Sequence, residues 1–255
     1  VALSPSPMSS TPAPVLIRSA EDLDGVRREI NQRMAMESPL PLEIRFETDL
    51  VLRTSLVWGN LEESPPLDIT VDGGGHLLKG VQLRMEGRRV QVSHLRMDGD
   101  RRPGQLLEVV SSEEIRLNAL SLCNTPAFSK APGARTPVGA LRLKATVPGV
   151  RARVQDVLLV DHRAPGAVRV GARGRGGFSE LLWERGRAGG VVLPLFELGE
   201  LSVFSAPETV VLGSGLAVRA MPTTAVLEDP TVKAEDPVLL ERWRAELGTG
   251  TPVSP

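Results

Sequence analysis

"VQVSHLRMDG" (residues 90–99) decides the fold once it is set above "IRLNALSLCN" (115–124) and "ARVQDVLLVD" (152–161). Apolar residues coincide at offsets 0, 2, 5 and 7 in all three: Val90, Val92, Leu95, Met97; Ile115, Leu117, Leu120, Leu122; Ala152, Val154, Val157, Leu159. The first two blocks start 25 residues apart and the third starts 37 residues later. A repeat of roughly 20 to 30 residues holding short strands and no helix is the mark of a solenoid. Alternate residues of a strand share a face, so offsets 0 and 2 point inward from one strand. A bend then resets the phase, and offsets 5 and 7 point inward from the next. Each rung leaves its apolar interior open above and below, so rungs must stack. The additional residues of the third spacing fit "NTPAFSKAPGARTPVG" (124–139), a Pro-rich and Gly-rich loop thrown out of one corner. Loops on solenoids are commonly the recognition surface, which makes Pro126, Phe128, Lys130 and Arg135 the expected interaction residues.

Outward from these blocks the same pattern runs from Leu42 to Ala220. Short alternations such as "LEIRF", "DITVD", "LRLK" and "VRV" are broken by glycine, proline or charge, as strands are. No helical stretch separates them, which argues against a doubly wound sheet. A helix is expected near each end. Ser19 can cap the first, with Glu21 and Asp22 in its first turn and Leu23, Val26, Ile30 and Met34 on one face. Asp236 followed by Pro237 starts the second, which runs to Gly248. The expected organisation is a Pro/Ser-rich flexible arm (1–14), a capping helix region (15–40), a parallel β-helix (41–222) and a C-terminal segment with a short helix and tail (223–255).

"LDITVDGGGHLLKG" (67–80), followed by "VQLRM", "VQVSHLRMDGD" and "IRLNALSLCN", resembles the right-handed parallel β-helix of the pectate-lyase-like superfamily. In those proteins a rung reading I-x-V/I-D-G-x-G opens the coil. The likeness covers residues 40–165 well and 166–220 loosely. It implies an all-β, right-handed solenoid. It implies no single activity, because that superfamily holds lyases, hydrolases, epimerases, virion proteins and adhesins. The glycines also invite a phosphate-loop reading, but a phosphate loop needs a helix after them. Here Leu77 and Leu78 lead straight to another strand, so Gly73, Gly74 and Gly75 are read as tight corners.

Lys and Arg number 30 against 31 Asp and Glu, a formal net charge of -1. No global field draws the chain to nucleic acid or to an anionic membrane, and no apolar run is long enough to span a bilayer. Arg169, Arg173 and Arg175 are read as a solvated glycine-rich loop. Cys123 is the only cysteine and the three histidines are dispersed, so no disulfide and no thiolate zinc site is expected. No cofactor motif occurs. Tyrosine is absent and aromatic residues make up 3% of the chain, leaving few platforms for sugar rings. Trp58 and Trp243 are read as a loop anchor and a cap, and Trp183 as a core residue or an exposed platform. The scarcity of asparagine and tyrosine leans to a cytoplasmic location, and the start at Val1 is compatible with a removed leader.

Glycan lyases of the resembled superfamily gather carboxylates around calcium and use an Arg or Lys base; its hydrolases use clustered aspartates. Neither signature set occurs. Were the chain an enzyme, Asp161, His162 and Arg163 would be its catalytic candidates, an acid, a tunable imidazole and a fixed cation after an inward strand. A surface ion pair between Asp161 and Arg163 is the plainer alternative. Asn124 and Asp161 share a register and read as a polar corner stack bonding neighbouring backbone. Asp72, Asp98 and Asp100 are the carboxylates that a calcium ion would have to gather, and "DGD" is common on solvated corners. The function expected is a non-catalytic structural or protein-interaction β-helix, a subunit of a larger assembly binding protein partners. A lyase or hydrolase acting on an acidic glycan is the first alternative, and a virion or injection-particle component the second.

Overall fold

The computed structural model describes residues 12–62, 67–127 and 138–248. In chain order the elements are β1 (Val15–Ile17), α1 (Asp22–Met34), β2 (Leu42–Phe46), β3 (Leu50–Trp58), β4 (Ile69–Asp72), β5 (Leu77–Ser93), β6 (Arg96–Asp98), β7 (Gln105–Asn118), β8 (Ser121–Thr125), β9 (Gly139–Ala145) and β10 (Val150–Gln155). They continue with β11 (Leu158–Pro165), β12 (Val168–Ala172), β13 (Phe178–Glu184), β14 (Arg187–Val192), β15 (Phe196–Leu198), β16 (Leu201–Ser205), β17 (Val210–Leu212), β18 (Val218–Ala220), β19 (Ala225–Glu228), β20 (Thr231–Lys233) and α2 (Pro237–Glu246).

Every recorded strand pairing is parallel, and the pairings sort into three faces. The first runs β1, β2, β4, the end of β5, the end of β7, β10, β13, β16, β19. The second runs from the start of β5 through β6, β8, β11, β14 and β17 to β20. The third joins β3, the middle of β5, the start of β7, β9, β12, β15 and β18. The chain visits the faces in turn, so the molecule is a parallel β-helix. Strand pairing continues to Lys233, inside the stretch read from sequence as the C-terminal segment.

The aligned blocks are literal strand register: Val90 pairs with Ile115 and Ile115 with Ala152 on the first face, while Met97 pairs with Leu122 and Leu122 with Leu159 on the second. All six side chains are buried in one continuous core, each large aliphatic one contributing about 1.5–3 kcal/mol by leaving water. Between the first-face and second-face strands of successive rungs, His94, Ala119, Asp156 and Arg185 all have φ between 51° and 53°. Each left-handed residue turns the corner and donates its amide to a carbonyl of the next rung, at 3.0 or 3.1 Å, so the ladder continues around the bend. The glycine cluster occupies the same corner one rung earlier. Gly74 and Gly75 have φ of 58° and 76°, and a β-carbon on Gly73 would collide with the backbone of His94 and Leu95. The glycines are corners, as the sequence implies.

The helices lie one near each end of the chain. α1 plugs the first rung with Leu23, Val26 and Ile30, all buried in the main core, and shields part of the open strand edges. Its start differs from expectation. Asp22, not Ser19, supplies the side chain, accepting from the amides of Arg18 (2.7 Å) and Ser19 (3.0 Å). Its carboxylate can reach back over the preceding turn and meets the positive end of the helix. At α2 the expected cap is present: Asp236 accepts from the amide of Leu239 at 3.0 Å, with proline in the first turn. Asp236→Ala is expected to cost about 1 kcal/mol, measured as a lowered midpoint in chemical denaturation; an unchanged midpoint would show that the cap carries no weight.

α2 does not plug the last rung. It lies against the outside of the second face, where Trp243 and Leu247 cover Cys123, Leu158, Val160 and Leu212. Arg244 grips Asp161 with two hydrogen bonds, 2.9 and 2.7 Å. Arg187 pairs with Glu246 and lies 5.8 Å from the Trp243 ring centroid, and Arg96 donates to the Leu247 carbonyl at 2.8 Å.

Candidate functional site

The residues singled out on the second face take part in core packing and in ion pairing with α2. His162 is fully buried, with Nδ1 2.8 Å from the Thr125 hydroxyl and Nε2 2.8 Å from the Leu122 carbonyl. Burial pushes its pKa down to about 4, against the raising effect of the Leu122 hydrogen bond. It is a neutral core residue with both ring nitrogens engaged. Asp161 is bound by Arg244, not by Arg163, which is exposed. Arg244 arrives on a docked helix in bidentate geometry, a stronger arrangement than a strand neighbour offers. Asn124 and Asp161 do sit at one corner, each with φ of 60°. Among the described residues Asn124 donates to Asp98 at 3.1 Å and Asp161 receives Arg244.

Asp72 accepts from the Gly74 amide at 2.9 Å, whereas Asp98 accepts from the Asp100 amide at 2.8 Å, and Asp100 pairs with Arg53 at 3.3 Å. Among the described residues no group of three His, Cys, Asp or Glu side chains gathers as a metal site would require. Cys123 is buried beneath α2, and burial, aided by the charges of Asp98 and Asp161, pushes its thiol up to about 12. It is not a nucleophile at neutral pH. Pro126 is half-buried beyond the end of β8, while Phe128, Lys130 and Arg135 lie outside the described residues. Trp58, Trp183 and Trp243 are all buried, so none serves as a platform.

The third face carries what the sequence reading missed. Pleating turns one residue of each strand outward in the same row, and pairing places Val57, Arg84, Glu108, Arg142, Arg169, Glu197 and Arg219 side by side across seven strands. Beneath this row Leu83, Leu107, Leu141, Val168 and Phe196 fill the core, fixing which side chains point out. A groove of about 440 Å³ runs across β9, β12, β15 and β18, lined by Arg142, Lys144, Arg169 and Arg219 with Glu197 as its carboxylate. A second hollow of about 270 Å³ shares Arg142 and extends across β3, β5 and β7. Its corner includes Gln105, which pairs with Gly139 at the foot of the Pro-rich loop.

Both carboxylates of the row, Glu108 and Glu197, meet cations. Lys144 contacts Glu108 at 2.8 Å, and Glu197 lies 3.7 Å from both Arg169 and Arg219. Glu86 is buried beside Arg84 and Arg173. Burial favours its neutral form, but hydrogen bonds from Arg173 and the Leu61 amide and the charges of both arginines outweigh it, holding Glu86 below the usual carboxylate range. The arginine run therefore divides. Arg169 and Arg173 belong to this network, and Arg175 is exposed on the loop. Arg142 has no ion-pair partner among the described residues and faces Arg169 directly in the register. Like charges opposite one another destabilise a sheet, and of this pair Arg169 has Glu197 beside it at 3.7 Å. Among the described residues no helix is long and apolar enough to cross a membrane. No protein-family model, curated protein or solved structure matches the chain.

Proposed function

We propose that this protein is a rigid, non-catalytic scaffold that works by binding protein partners within a larger assembly, with the third face as its main contact surface. Its likeness to pectate-lyase-like proteins is taken as one of architecture, put to a binding use. The observation that carries this reading is the groove row, where cations outnumber carboxylates and every carboxylate already touches a cation. A general acid needs a carboxyl isolated in apolar surroundings, and a general base a group poised near neutrality. Glu86, Glu108 and Glu197 are held instead as ion pairs, an arrangement suited to recognition by charge and shape.

A lyase or hydrolase acting on an acidic glycan is the second reading, favoured by the cationic groove, since uronate carboxylates would suit the same arginines. The two are separated by incubating the protein with acidic polysaccharides and following chain length, alongside native mass spectrometry of the protein in its source extract. No shortening of the polysaccharide, together with a mass several times that of one chain, is expected. Depolymerisation abolished by Arg142→Ala would establish the enzyme and remove the scaffold reading.

A further inference from the structure

Resting on the interaction reading above, we infer that the groove across β9, β12, β15 and β18 receives an extended acidic peptide segment of the partner protein. The charge is right: among the described residues four cations and one carboxylate line it. Arginine's planar fork matches a carboxylate with two parallel hydrogen bonds, and Arg142 and Arg169 stand in adjacent register positions about 4.8 Å apart. A carboxylate placed between them relieves their mutual repulsion. Arg219 lies two strands beyond Arg169, with Glu197 between them, and offers a second grip about 10 Å along the groove.

Shape and floor chemistry select the polymer. Four neighbouring strands span about 14 Å, the reach of four or five extended residues. The floor is small and apolar, with Gly171, Ala172, Gly199 and Ala220, ending at Met221, which is 49% exposed. Glycine and alanine let a backbone lie close, and methionine adapts to an apolar side chain of the ligand. Among the described residues no aromatic side chain lines either hollow. Pyranose rings and unstacked bases both favour aromatic platforms, so acidic glycans and single-stranded nucleic acid lack the contact that would hold them best. A segment with Asp or Glu at alternate positions and one apolar residue fits charge, length and floor together.

The test is fluorescence anisotropy of the full chain with a labelled peptide of alternating Glu and Ala, against a Lys-Ala peptide, an oligogalacturonate and an oligothymidylate. The Glu-Ala peptide is expected to bind best and to weaken with salt. Arg142→Glu/Arg169→Glu is expected to weaken it at least about tenfold, while Arg116→Glu/Arg151→Glu on the first face leaves it unchanged, with circular dichroism confirming that both variants fold. Equal loss in the two variants would reduce the effect to general charge attraction and overturn the inference. Stronger binding of the glycan or the oligonucleotide, or no binding of the Glu-Ala peptide, would overturn it as well. If peptide binding is absent while the protein still migrates in a large complex, only the acidic segment falls. If polysaccharide is cleaved, the interaction reading itself falls.

Discussion

Phe196→Ala is expected to lower the unfolding free energy by about 3–5 kcal/mol, the range for removing a buried aromatic ring. Phe196 is fully buried on β15, with its ring centroid 5.0 Å from that of Trp183 and 5.2 Å from that of Phe204. The three rings join the third face to the first through the interior, and the neighbouring strands are fixed by pairing and cannot collapse freely into the void. In a stacked array each rung is stabilised mainly by its neighbours, so the loss should spread to β12 and β18, which flank β15. Urea denaturation of the variant beside Phe196→Leu is the check, with the leucine variant recovering part of the loss. A cost below about 1 kcal/mol would mean that the aromatic cluster is not closely packed.

Acid should act through His162. Its folded pKa of about 4 lies below the ordinary imidazole value of 6.5, so the unfolded chain binds the proton more readily. Stability due to this group is complete above about pH 6.5 and falls as pH drops toward 4, by up to about 3 kcal/mol. Cost arises because protonation would place a charge in the core and turn Nδ1 from acceptor to donor against the Thr125 hydroxyl. Asp161, next in sequence, favours the charged form slightly but is itself held by Arg244. His162→Gln is expected to be less stable at pH 7, yet to show a flatter dependence between pH 6.5 and 4. Glu86, Asp68 and Asp156, each held below its ordinary range, lose their stabilising charge at lower pH in both proteins. Identical slopes for the two proteins would remove His162 from the account.

The repeat was legible because offsets 0, 2, 5 and 7 belong to two faces whose spacing along the chain is constant. The third face was not, since its strands fall in the variable stretches between aligned blocks. A signal was nevertheless present: Leu141-Arg142-Leu143, Val168-Arg169-Val170, Phe196-Glu197-Leu198 and Val218-Arg219-Ala220 are each a charge between two apolar residues. Only strand pairing shows that these four charges form one row. The docking of α2 was likewise hidden, though the unbroken run Leu158-Leu159-Val160 is what a strand buried on both sides looks like. Asp161 was matched to Arg163 by proximity in sequence, whereas its partner Arg244 is 83 residues away. Long-range ion pairs of this kind leave no periodic trace.

The most direct test of the central claim, that this chain acts by binding through the third face, is native mass spectrometry in source extract of the unaltered protein beside Arg142→Glu/Arg169→Glu. A large complex for the unaltered chain and a free monomer for the variant is the predicted result. Complexes of the same size for both, or a monomer for both, would contradict it.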